Sequence, residues 1–201
     1  MARKRDDAGT CLDAALTLAA TRGWNNTTLY DIAEESGLTA AQVRDAVGSR
    51  HGLLRTLAAR ADQAMLATVD ADWRDESVRD RLFTLLMARF DYLRDRREGL
   101  RAIIAGVPGD PGGALAAAAG PGLSSMRLVL EAAGLSSSGV RGALRARALG
   151  VAYALIVRTF LDDDTEDLSR TMAAVDRRLG DLERLARGGS RQSTAKASEP
   201  E

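Results

Sequence analysis

Apolar residues return every three or four positions along most of this chain, and no stretch alternates apolar and polar residues over a strand's length. Leu12, Ala15, Leu16 and Ala19 form the first stripe and predict a helix over 10–22, closed by Gly23. In NNTTLYDIAEESG, Thr28 stands three residues before Asp31, the spacing of a capping box on a short second helix that ends at Gly37. Thr39 and Gln42 repeat that spacing for a third helix ending near Gly48. Ser49 offers an N-cap for a fourth, RHGLLRTLAARADQAMLATVDADW. Residues 76–97 then place Val78, Leu82, Leu85, Leu86, Phe90 and Leu93 on one side of another amphipathic helix. After IIAGVPGDPGG, the stretch ALAAAAGPGLSSMRLVLEAAG reads as a helix broken at Gly120-Pro121-Gly122. Two longer helices, 138–161 and 165–187, close the pattern, and the small, polar tail 188–201 is expected to be disordered.

Composition strengthens this reading. Aromatics make up 4% of the chain, and the four prolines (108, 111, 121 and 200) leave the first 107 residues without a proline. The expected fold class is all-α. With 201 residues and 45% hydrophobic content, the chain can bury the core of one or two small domains. Its first three helices, with short glycine-ended turns and ESGLT between the second and third, match a helix-turn-helix.

Charge and chemistry narrow the functions. Twenty-eight basic residues cancel 28 acidic ones, which argues against nucleic-acid binding by bulk electrostatics but leaves room for a local patch. One cysteine and one histidine, far apart in sequence, give neither a disulfide nor a His/Cys metal site, so no metal and no cofactor are expected. Neither Cys11 nor His51 has a base suggested nearby, and the glycines of 106–122 lack a phosphate-loop pattern, so no catalytic residue is assigned and no enzyme is expected. Cys11 reads as a small buried hydrophobe, and Asp162-Asp163-Asp164 as a complement to the next helix's N-terminus. The start MARKRDDAGT has no apolar signal region, and no uncharged run approaches the ~20 residues of a membrane span. A cytoplasmic location is expected.

On the third helix, Gln42 can pair with adenine, and Arg44 can pair with guanine or hold a phosphate. Val43 and Val47 then face inward at i, i+4 spacing. Arg3, Lys4 and Arg5 form a basic arm.

The segments CLDAALTLAATRGWNNTTLYDIAEESGLT and GSRHGLL resemble the DNA-binding domain of the TetR family over about residues 10–55. The resemblance rests on Leu12-Asp13-Ala14-Ala15, Arg22-Gly23-Trp24, Thr27-Thr28, Asp31-Ile32-Ala33, Gly37 and Ser49-Arg50. It implies a ligand-responsive transcriptional regulator, most often a repressor, that binds double-stranded operator DNA as a homodimer. It also implies phosphate contacts by Thr27, Thr28 and Arg50, beside a reading helix that starts at Thr39 and carries Gln42 and Arg44. Three positions depart from the family's habit: Ala40 replaces a frequent lysine, Arg44 a tyrosine and Val47 a phenylalanine, while Asp45 adds an anion.

Residues 1–56, with a flexible arm at 1–8, would form the DNA-binding domain, and 57–187 a ligand-binding and dimerisation domain. Met65, Trp73, Leu86 and Met87, with Phe90, Met126 and Tyr153, are candidates for lining a cavity for a small apolar or lipid-like effector. Leu155 and Phe160, with the seam Leu168, Met172, Val175, Leu179 and Leu182, are candidates for the dimer interface. The C-terminal stretch from Arg145 to Leu185 also resembles the TetR-like accessory proteins of ubiquinone biosynthesis. That implies an alternative, a lipid- or quinone-binding accessory protein that keeps the fold without the DNA site.

Overall fold

The computed structural model describes residues 6–109, 112 and 118–196. Arg3, Lys4 and Arg5 of the basic arm and residues 197–201 of the tail lie outside that set. Among the described residues there are nine α-helices and no strand. They are α1 (Asp7–Arg22), α2 (Leu29–Ser36), α3 (Ala40–Val47), α4 (Arg50–Leu66), α5 (Val78–Arg94), α6 (Arg97–Ala105), α7 (Leu123–Ala132), α8 (Gly139–Leu161) and α9 (Ser169–Lys196).

Helices α1 to α3 fold around Cys11, Leu12, Ile32 and Val43, all buried. Helix α4 starts in this unit and continues into the second, where it packs on α5. The second core joins Leu85, Leu86 and Phe90 of α5 to Met126 and Val129 of α7, Ile156 and Phe160 of α8, and Val175 and Leu179 of α9. Phe90 stacks on Tyr153 with ring centroids 5.1 Å apart and meets Phe160 at the same distance.

Several elements differ from the sequence pattern: α1 begins at Asp7, inside the expected flexible arm, and α4 stops at Leu66 instead of running on to Trp73, which lies in a separate 3-10 turn. Helix α6 is not anticipated, because it is short, carries Gly99 at its third position and runs into Pro108. Its glycine has a packing reason: a Cβ at residue 99 would lie 2.8 Å from Leu16 of α1. Residues 120–122 do not break the helix there. Ala118–Gly122 forms a π turn that contains Pro121 and leads directly into α7. The last helix starts at Ser169 and continues to Lys196, past the expected end at 187.

The interface expectation needs a larger correction. Phe160, Leu168, Val175 and Leu179 are buried within the single chain. The reason is topological: α9 packs on both α8 and α5, so the seam expected to face a partner already faces α5. Arg79 of α5 reinforces the contact by pairing with Asp176 at 2.8 Å and Glu183 at 3.2 Å. Met172 and Leu182 are half-buried, and Leu155 keeps partial exposure.

Candidate nucleic-acid interface

Each turn of the first unit is closed by a specific side chain. The Asp31 N–H donates to Thr28 Oγ1 at 3.2 Å, and the Thr28 N–H and hydroxyl donate to Asp31 Oδ2 at 2.7 and 2.6 Å. This is the expected capping box, and it holds the Asp31 carboxyl below the usual carboxylate range, with Arg22 at 3.0 Å adding to the effect. Gly37 ends α2 in the left-handed conformation, φ 66°, which permits the sharp turn into α3. There the box recurs: Gln42 N–H donates to Thr39 Oγ1 at 3.2 Å, and Gln42 Oε1 accepts from the Thr39 N–H and hydroxyl, both at 2.9 Å.

Helix α3 buries Val43 and Val47 against the rest of the unit, and this leaves Ala40, Ala41, Gln42, Arg44 and Asp45 exposed. The expected inward and outward faces are therefore the observed ones. Ala40 and Ala41 sit in the first turn, where backbone N–H groups lack helical partners, and their small side chains let an anion come close. Arg44 projects from the same short helix. Gln42 has its amide oxygen engaged in the box, so two-pronged pairing with adenine requires it to release Thr39.

Two expected phosphate ligands are placed differently. Thr27 is a correction: its side chain is buried, and its hydroxyl donates to the Gly23 carbonyl at 3.0 Å. It closes the 3-10 turn at Trp24–Asn26 rather than facing solvent. Arg50 is half-buried, and its Nη1 donates to the Trp24 carbonyl at 3.1 Å. Its guanidinium lies 5.1 Å from the Trp24 ring centroid, so it fastens that turn to the start of α4. Thr28, by contrast, stays exposed at the start of α2. Beside it stands Tyr30, 74% exposed, which sequence reasoning missed. Its signal was an aromatic residue off the Leu29, Ile32 and Ala33 stripe, where no core position accounts for it.

Cys11 is fully buried, and burial followed by the Asp7 charge pushes its thiol pKa up. Among the described residues no group of His, Cys, Asp or Glu could hold a metal ion, and no helix is long and apolar enough to cross a membrane.

No family model matches the sequence, and no curated protein does. Solved structures do. A TetR transcriptional regulator from Nitrosomonas europaea superposes with a TM-score of 0.69 over 86% of this chain and 95% of its own, at 23% identity. The chain has the TetR fold. A TetR regulator from Rhodococcus sp. RHA1 matches at 0.64 with 15% identity, over 89% of this chain and 96% of its own. A further TetR-family regulator from Rhodococcus sp. matches at 0.56 with 16% identity, over 87% and 100% respectively. The likeness thus spans both the α1–α3 unit and the helices that follow it in the TetR fold.

Proposed function

We propose that this chain is a TetR-type transcriptional regulator that binds operator DNA as a homodimer and is released by a small, largely apolar effector. The observation that carries the reading is α3, an eight-residue helix with Val43 and Val47 buried and Gln42 and Arg44 exposed. Two such helices set ~34 Å apart fit successive major grooves, and an effector that changes their separation breaks the fit. Helix α4 supports that coupling because it belongs to both units, as does α6, whose Gly106 carbonyl accepts from Asn25 Nδ2 at 3.0 Å in the turn before α2. Repression is the expected sign of control. The alternative of an accessory protein without a DNA site is not favoured, since the structural neighbours named above are regulators.

The test is binding to the promoter region of the protein's own gene at low salt. Arg44→Ala is expected to weaken binding and flatten its salt dependence by about one unit of slope per neutralised phosphate. Gln42→Ala is expected to cost about 1–3 kcal/mol, concentrated at one base pair per half-site. Undetectable binding by the wild-type protein at low salt would remove the reading.

The dimer surface follows from what the chain leaves uncovered. Val140, Leu144, Val151 and Leu155 repeat along one face of α8, with Val140 88% and Leu144 65% exposed. They give α8 an apolar face suited to a four-helix interface. Leu144→Glu combined with Val151→Glu is expected to yield a folded monomer in light scattering and to abolish cooperative operator binding. A wild-type monomer at micromolar concentration would contradict this.

A further inference from the structure

Helix α8 carries charge of one sign. Residues 139–161 hold four arginines, at 141, 145, 147 and 158, and no Asp or Glu. All four are exposed, and none forms an ion pair among the described residues. The loop that follows carries the opposite sign: Asp162, Asp164, Glu166 and Asp167 are exposed, and no Lys or Arg occurs before Arg170. Of these four carboxylates, only that of Asp164 meets a cation among the described residues, Arg97 at 3.8 Å.

These charges oppose their own helix. Arg141, in the first turn of α8, stands at the positive end of the helix dipole, and Asp162, its C-cap, at the negative end. Two arginines also interrupt the apolar face. Val140, Leu144, Arg147, Val151, Leu155 and Arg158 follow one another at three- and four-residue spacing, so they share one exposed stripe, and Asp162 ends it.

A symmetric pair of such helices has few acceptable registers. Parallel helices set every arginine opposite its own copy. Antiparallel helices centred near Arg147 do the same in the middle of the apolar contact, where like charges cost most. Antiparallel helices centred on Val151 avoid both faults. Arg147 then lies over the partner's Leu155 and Arg158 over the partner's Leu144, while Arg141 comes level with the partner's Asp162.

Resting on the reading that α8 is a homodimer face, we propose that a second copy docks there antiparallel, with Val151 at the two-fold axis, and that Arg141 and Arg145 pair with Asp162 and Asp164 of the partner subunit. Each copy supplies one basic and one acidic end, so the two ends of the contact are equivalent. The stems of Arg147 and Arg158 cover apolar side chains while their heads reach solvent. Apolar burial holds the pair together, and the charge match selects partner and register.

The experiment uses two full-length, charge-reversed proteins. One carries Arg141→Glu with Arg145→Glu, the other Asp162→Lys with Asp164→Lys. All four positions are exposed, and melting curves check that each protein folds. In sedimentation and native mass spectrometry, each variant alone is expected to dimerise about tenfold or more weakly than the wild type. In an equal mixture, Glu of one variant faces Lys of the other at one end, and the native pairs remain at the other. A heterodimer of wild-type affinity is therefore expected. Two single substitutions test the register: Val151→Cys is expected to cross-link to its own copy on oxidation, and Leu144→Cys is not, whereas parallel helices would cross-link both. Should a charge-reversed protein fold poorly, this pair still decides. No rescue in the mixture, a Leu144→Cys cross-link or no Val151→Cys cross-link would each overturn the inference and leave a dimer through α8 standing. A wild type that stays monomeric at micromolar concentration would remove both, and its sedimentation with anionic lipid vesicles would assign the face to a membrane instead.

Discussion

Asp163→Ala is expected to cost roughly 3–5 kcal/mol of stability, as befits loss of a buried, hydrogen-bonded charge. The Asp163 side chain is fully buried in the loop between α8 and α9. One carboxylate oxygen accepts from the Thr165 N–H at 3.2 Å and from the Thr165 hydroxyl. The other accepts from the Thr171 N–H and hydroxyl, both at 2.7 Å. Deleting the carboxylate strands two backbone donors and two hydroxyls together. It also loosens the start of α9, where Leu168 is held buried at φ 54°, a conformation that disfavours a leucine. Thermal unfolding should therefore move down by roughly 6–20 °C, at about 2–4 °C per kcal/mol for a chain of this size. A shift of under 2 °C would show that this loop does not hold α8 and α9 together.

The same carboxylate sets an acid limit. Burial alone would raise its pKa, but the hydrogen bonds from Thr165 and Thr171 outweigh burial and lower it to about 2, from an ordinary 3.8. A group depressed in the folded state stabilises it above the unfolded pKa and loses that contribution as pH falls through the folded one. The contribution, at most about 2.5 kcal/mol, is thus intact above pH 5 and vanishes between about pH 4 and pH 2. Asp163→Asn should flatten the stability profile across that window.

This loop also ties the two units together through α6. Arg97 donates to the Asp163 carbonyl and Arg101 to the Leu161 carbonyl, so two arginines satisfy backbone oxygens at and just beyond the C-terminus of α8. At its other end α6 meets the Trp24–Asn26 turn through Asn25 and Gly106. Helix α6 therefore links the end of α8 to the α1–α2 turn through direct hydrogen bonds.

That helix was the least legible part of the fold in the sequence. Capping boxes at Thr28 and Thr39 and left-handed glycine at 37 are local, carried by residues three or four apart, and sequence alone marks them. Gly99 is the opposite case. It reads as a helix breaker until Leu16, 83 positions away, supplies the reason for its missing side chain. The interface residues failed for a related reason. Periodicity finds that Leu168, Val175 and Leu179 lie on one stripe, but not whether α5 or a second copy covers it. At the candidate nucleic-acid face, the family resemblance pointed to Thr27 and Arg50, whereas the fold spends Thr27's hydroxyl on Gly23 and one Arg50 nitrogen on Trp24. Arg44 and Gln42 were legible because inward Val43 and Val47 fix which way they point.

The position of α3 itself depends on Gly52, and Gly52→Ala is expected to disable DNA binding while sparing the second unit. Gly48 carries φ 71° and ψ −46°, and the Ser49 N–H donates to the Val47 carbonyl at 2.8 Å, closing a γ-turn of the uncommon positive-φ kind. That turn brings the Val47 carbonyl back over the first turn of α4. A Cβ on residue 52 would lie 1.7 Å from the Val47 oxygen, a backbone atom that no rotamer change can remove. The γ-turn must open, and α3 must tilt away from α4, dragging Val47 from the core that fixes its outward face. A loss of about 3 kcal/mol is expected, at the upper end of overpacking costs. Operator affinity should fall below detection, while light scattering still reports a dimer because α8 and α9 are untouched. Full affinity in a Gly52→Ala protein would mean that the α3–α4 turn does not set the reading helix, and the route from effector to DNA through α4 would fall with it.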